Sequence, residues 1–245
     1  MSKHEVSRGG SEILRHQTSD DAAAPGVAPT DVAAADAVAA LVERHCGRAE
    51  TVFHELVSAF VHIDVHVVPP DPAAGDDAAW TLFTTGMSDL PMTLPDDIPA
   101  PRFAELMLRL PASWTLAGEA ASEERWYWPV RWLKLLARLP HEYRTWLGDG
   151  HTIPNGDPPR PFHDGCPFVG VVIGLPTSLP DDDEVARTAD KDIHLYTPYP
   201  LHADELGLKL EQGWSVLAER LGAADVTDLI DVTRPSVAGR GRRRR

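Results

Sequence analysis

Cysteine is nearly missing: Cys46 and Cys166 are the only two in 245 residues, and they form no C-x-x-C pair. One disulfide is the most they allow, which excludes a disulfide-built scaffold and a thioredoxin-like redox site. Long apolar runs are missing too. Stretches such as Phe168–Leu175 fall well short of the ~20 residues that span a membrane, so no membrane role is expected. The opening Met-Ser-Lys-His-Glu-Val has no apolar signal core, and a cytoplasmic location is expected. Neither glycine-rich phosphate cradle, G-x-G-x-x-G or G-x-x-x-x-G-K-[ST], occurs. Positive charge is scarce, at 23 Lys+Arg against 37 Asp+Glu, a net of −14.

That charge is uneven. Residues 223–245 hold six arginines and three aspartates, which leaves residues 1–222 with 17 basic and 34 acidic groups. Such an acidic body repels nucleic acid and membrane surfaces and steers a basic partner toward itself, though acidity also serves plain solubility. Residues 1–30 are rich in Ser, Asp, Ala and Pro without hydrophobic period, and are expected to be a disordered tail. Residues 223–245, ending Gly239-Arg-Gly-Arg-Arg-Arg-Arg245, are expected to be a flexible basic tail. Residues 31–222 make one candidate domain, and the 43% hydrophobic content of the full chain suffices for a core.

Within it, Thr30 or Asp31 can cap a helix with Ala35, Val38, Leu41 and Val42 on its apolar face, ending near Gly47. Val61–Val68 alternates with period two: Val61, Ile63, Val65 and Val67 share one face, and His62, Asp64 and His66 the other. Trp80–Thr85, Phe103–Leu110, Phe168–Leu175 and Ile193–Thr197 read as further strands. A largely buried helix is expected to start at Trp128-Pro129, since proline suits the first helical position. Trp126, Tyr127 and Trp128 ahead of it are expected to pack in the core. A last helix should run from Ala203 to Leu221. Runs of strands with helices at both ends and one in the middle argue for an α+β fold, a mixed or antiparallel sheet layered with helices.

Catalytic constellations are thin. His62, Asp64 and His66 are three metal-ligand types on one strand face, and a metal-dependent hydrolase using them is the enzyme alternative. At ~3.3 Å per residue His62 and His66 lie ~13 Å apart, so only adjacent alternate pairs could chelate, with further ligands from elsewhere. Gly86-Met-Ser-Asp-Leu90 has Leu90 where a nucleophile elbow needs its second glycine. Cys46 and Cys166 could in principle act as thiol nucleophiles, but Cys46 falls near a helix end, where a buried structural cysteine is the commoner case.

One ordered set of motifs is more specific. It comprises Thr84-Thr-Gly-Met-Ser-Asp-Leu-Pro-Met92, Glu105-Leu-Met-Leu-Arg-Leu-Pro111, Trp114, Trp128-Pro129 with Leu136-Ala-Arg138, and Gly150-His-Thr-Ile-Pro-Asn-Gly156. Phe168-Val-Gly170, Tyr199-Pro-Leu201 and Glu205-Leu206 follow. In this order and spacing the chain resembles the suppressor-of-fused domain over roughly residues 50–222. The resemblance implies a mixed α/β, non-enzymatic protein-binding module without cofactor or metal. In animals such proteins clasp a peptide of Hedgehog-pathway transcription factors, partly by strand pairing, and carry a second, C-terminal domain, so neither the two-domain clasp nor the Hedgehog role is expected here. Bacterial stand-alone members are understood as immunity proteins of polymorphic toxin systems, and the Ala-, Asp- and Arg-rich composition fits a bacterial chain.

The expected partner is therefore a protein, a toxin domain, with a basic one best suited to the acidic body, bound through edge strands and adjoining loops. Gly86, Met87, Ser88, Asp89, Asp96 and Asp97 are the candidate partner-binding residues, with hairpin closure as the structural alternative for the turn. A regulatory scaffold, with the arginine tail meeting nucleic acid, is the third reading. Oligomeric state stays open.

Overall fold

A computed structural model describes residues 5–15, 30–55, 60–180 and 183–239. The rest of the expected N-terminal tail, and residues 240–245, lie outside the described residues. The first two strands, β1 (Glu5–Val6) and β2 (Glu12–Ile13), form a small antiparallel hairpin of their own, inside the segment expected to be a tail. Helix α1 (Val32–Cys46) follows from local chemistry. Asp31 accepts a hydrogen bond from the Ala34 amide at 3.0 Å, and Gly47, at φ 100°, ends the helix. Its buried residues are Ala34, Val38, Leu41 and Val42.

Strands β3 (Thr51–Phe53), β4 (Asp64–Val68), β5 (Ala79–Thr85) and β6 (Ala104–Pro111) form an antiparallel meander. The strand expected from Val61 begins at Asp64, although Val61 and Ile63 are buried. Helix α2 (Glu124–Glu142) and short strand β7 (Thr152–Pro154) come next. After β8 (Gly170–Gly174) and β9 (Val185–Arg187), strand β10 (Asp192–Leu201) enters the sheet parallel to β6 and antiparallel to β8 and β9. The strand order is β3-β4-β5-β6-β10-β8-β7, with β9 beside β10. Helices α3 (Ala203–Gln212) and α4 (Trp214–Ala223) complete an α+β fold. No helix among the described residues is long and apolar enough to cross a membrane.

The alternation of each strand sorts its side chains into different cores. Val65, Val67, Leu82, Leu106 and Leu108 pack with Trp128, Trp132, Leu133 and Leu136 of α2. Phe83, Met107, Ile193 and Leu195 pack with Val38, Leu41 and Val42 of α1. Val172, Tyr199 and Leu201 receive Leu206 and Leu208 of α3 and Leu217 and Leu221 of α4. Trp128 is buried and stacks on Phe162 at 4.6 Å, while Trp126 and Tyr127 are half-buried against the same core.

Three sequence expectations need correction. Helix α2 begins five residues before Pro129, which therefore sits inside the helix, where its missing amide frees a carbonyl one turn earlier. The expected helix from Ala203 to Leu221 is two helices, because Gly213 at φ 89° breaks it. The turn of the N-terminal hairpin occupies that break. The Gly9 amide donates to the Leu210 carbonyl at 2.9 Å, and a Cβ on Gly9 would lie 2.3 Å from the Gly213 nitrogen. Finally, residues 226–238 of the expected flexible tail are built into the body. β10 pairs with β6 over Ala104–Leu106, and farther along β6 the chain near Leu229 takes that edge by hydrogen bonds to both Arg109 backbone groups. Ile230 is buried in the core, and Arg234 pairs with the fully buried Glu205 at 2.6 Å.

Candidate functional site

The motif Thr84-Thr-Gly-Met-Ser-Asp89 closes β5 with a tight turn. Gly86 sits at φ 103°, and a Cβ there would lie 1.9 Å from the His62 carbonyl oxygen, so no side chain fits. Beyond the Phe83–Met107 pair, Thr84 Oγ1 takes the place of a backbone partner and accepts the Leu106 amide at 2.8 Å. Its own hydroxyl donates to Glu105 Oε2 at 2.6 Å. The other oxygen, Oε1, accepts from the Ser88 amide at 2.9 Å and the Ser88 hydroxyl at 2.7 Å. Glu105 is fully buried and meets only neutral donors. Burial pushes its pKa up to about 7; the Thr84 and Ser88 hydrogen bonds pull it down and nearby Asp89 adds to the rise. A protonated Glu105 finds its acceptor in Thr84 Oγ1, whose hydrogen can turn to the Leu106 carbonyl at 3.4 Å.

The turn is also tied from outside. His141 Nε2 bonds to the Met87 carbonyl at 2.9 Å, and Lys191 Nζ donates to the Ser88 carbonyl at 2.9 Å. Lys191 also pairs with Asp31 at 2.7 Å, and the Asp31 amide donates to Asp89 Oδ1 at 3.0 Å. The hydrogen bond from Lys191 holds the Asp31 carboxyl below its usual range, whereas burial pushes Asp89 up. The N-terminus of α1 is thereby fastened to the turn.

These contacts revise the expected partner-binding set. Gly86, Met87 and Ser88 are buried and cannot touch a partner while the fold is intact. Asp89 is half-buried with one oxygen engaged. Asp96 and Asp97 are exposed, in the loop between the turn and β6. The most specific stretch of the sequence thus builds the fold, and of the six residues only the aspartate pair lies open to a partner.

The expected ligand trio is likewise not assembled as written. His66 turns to Thr85, with Nε2 at 2.9 Å from Oγ1, and stacks on Phe83 at 4.8 Å; burial lowers its pKa. His62 Nε2 does meet Asp64 Oδ1, at 3.2 Å. The third member is His54, whose Nδ1 lies 3.0 Å from Asp64 Oδ2. Phe53 pairs with Val65 across β3 and β4, which sets His54 opposite Asp64. One ligand atom from each of His54, His62 and Asp64 lies within 4.8 Å of the others. No spacing motif announces His54; only the hairpin register brings it in.

The suppressor-of-fused (SUFU) family model matches residues 60–235. Among solved structures, a protein described as a SUFU homologue from Neisseria gonorrhoeae FA 1090 is 15% identical, with TM-score 0.62. The alignment covers 86% of this chain and 100% of that one. The crystallised Sufu–Fu complex matches at 14% identity and TM-score 0.57, over 87% of this chain and 93% of that one. Drosophila Suppressor of Fused matches at 14% identity and TM-score 0.54, over 86% of this chain and 52% of that one. At such identities the likeness establishes the fold. A search of curated proteins finds no match.

Proposed function

The chain belongs to the suppressor of fused family, and from that premise we propose that it works by stoichiometric protein binding, as an immunity protein that docks on and neutralises a cognate toxin domain. The observation that carries this reading is where the polar side chains are spent. Thr84, Ser88 and Glu105, the residue types a hydrolytic site would draw on, are bonded to one another inside the fold. Asp96 and Asp97, part of the acidic surplus of residues 1–222, are by contrast exposed. An inhibitor needs only a surface of complementary shape and charge, and an acid-rich one suits a basic polypeptide.

The crystallised Sufu–Fu complex supports binding of another chain as a use of this fold. The Neisseria homologue, matched along its whole length, supports a single-domain form. Outer strand β3 is three residues long, so strand addition there would yield few main-chain bonds, and loop charge carries more of the recognition.

The neighbouring reading frames are the first check, and co-expression with a toxin module found there tests the proposal. Growth should be rescued, the two chains should co-purify, and the complex should weaken as salt is raised. Failure to rescue cells from a verified toxic module overturns the immunity role, and turnover of a small substrate by pure protein overturns the binding role.

A further inference from the structure

From the geometry of the β3–β4 hairpin we propose that His54, His62 and Asp64 form a binding site for one divalent transition-metal ion of the zinc type. The arrangement follows from strand geometry. Alternate residues of an extended chain share a face, which sets His62 beside Asp64, and cross-strand neighbours stand ~4.5–5.5 Å apart, which brings His54 to the same spot. Two imidazoles and a carboxylate are a donor set that zinc, copper, nickel and iron accept.

The distances suit an ion with small shifts of exposed rings. Metal–ligand bonds of ~2.0–2.2 Å call for ligand atoms roughly 3.3 Å apart or somewhat more. Here the carboxylate oxygens lie 3.0 Å and 3.2 Å from the two ring nitrogens. An ion takes the place of the hydrogens shared at those two contacts; each neutral imidazole moves that proton to its far ring nitrogen by tautomerisation, so the pair releases none. A fourth position faces solvent, open to water or to a donor from another molecule.

The ligand carriers are held from behind. The Glu55 amide donates to Asp64 Oδ1 at 3.3 Å, and Lys134 Nζ from α2 donates to the His54 carbonyl at 3.0 Å. Glu55 accepts the Ile63 amide at 3.0 Å, between the two ligands on the β4 side. Charged groups near the site include Glu55, Lys134 and Arg138, and Asp89 lies within electrostatic reach of His62. Arg138 is spent on Glu55, and Lys134 is engaged at the backbone. Such supporting bonds orient ligands and raise affinity.

Calorimetric titration of the full chain with zinc chloride, after treatment with a chelator, tests the site. One equivalent should bind, and His54→Ala or His62→Ala should each weaken binding at least ~10-fold, while His66→Ala leaves it unchanged. Lack of saturable binding overturns the proposal, and so does binding that survives His54→Ala and His62→Ala together. If a variant misfolds, wild-type protein decides the matter through paramagnetic broadening by cobalt(II). Broadening centred on the His54 and His62 ring signals supports the site, and broadening centred on any other histidine overturns it.

Discussion

Glu105 and Glu205 are both fully buried carboxylates, yet the protein treats them in opposite ways. Glu105 is surrounded by the hydroxyls of Thr84 and Ser88 and one amide, with no cation, and its pKa rises to about 7. At Glu205 burial also favours the neutral acid. There the Arg234 guanidinium and the amides of Val237 and His202 outweigh it and hold the carboxyl below its usual range. Burial alone therefore does not decide ionisation; the charge of the donor does. The Glu105 knot ties β5 and β6 through neutral donors, whereas the Glu205 clasp fastens the C-terminal segment to α3.

The largest effect should come from breaking the clasp. Arg234→Ala strands a buried carboxylate and should cost about 3–5 kcal/mol in urea unfolding at pH 7. A loss under 1 kcal/mol, taken as about the value of an ordinary surface pair, would erase the contrast between the two sites. The second effect is a pH dependence of defined sign. Because the folded pKa of Glu105 lies above the ordinary 4.5, its stabilising contribution is full below pH 4.5 and is lost as pH rises through about 7. The shift corresponds to roughly 3 kcal/mol, so unfolding curves from pH 4.5 to 8 should show that fall, and Glu105→Gln should flatten it.

Glu205 has the reverse sign. Its lowered folded pKa gives stability that is present at neutral pH and disappears as pH falls through that value. A wild-type curve with no difference from Glu105→Gln over this window would show that Glu105 is already ionised in the fold. The smallest effect concerns the outer ties. Asp31→Ala removes the cap of α1 and the partner of Lys191, and should cost about 1–2 kcal/mol by thermal or urea unfolding. A loss as large as that of Arg234→Ala would mean that the neutral knot depends on the charges outside it.

Features set by neighbouring residues were legible in the sequence. Asp31 and Gly47 bracket α1 as a cap and a stop should, and the two-residue period of Val61, Ile63, Val65 and Val67 found the core face. Features set by distant partners were not. Arg234 reads as one arginine of a basic tail until Glu205, 29 residues earlier, is seen beside it. Gly213 lies within an unbroken leucine stripe, and only the approach of Gly9 shows why the helix must stop there. At the candidate site, the His62 and Asp64 pairing was visible as alternation, but His54 required the β3–β4 register. Gly86, Met87 and Ser88 stood out as a motif, and a motif looks the same whether it faces solvent or the core.

The close passage of Gly9 over Gly213 ties the order of assembly to the order of synthesis. The hairpin precedes its seat at Leu210 and Gly213 by roughly 200 residues, so it has nowhere to dock until that later stretch has been made and folded. Docking of the hairpin is thus a finishing step, a buckle fastened once the rest of the garment is in place.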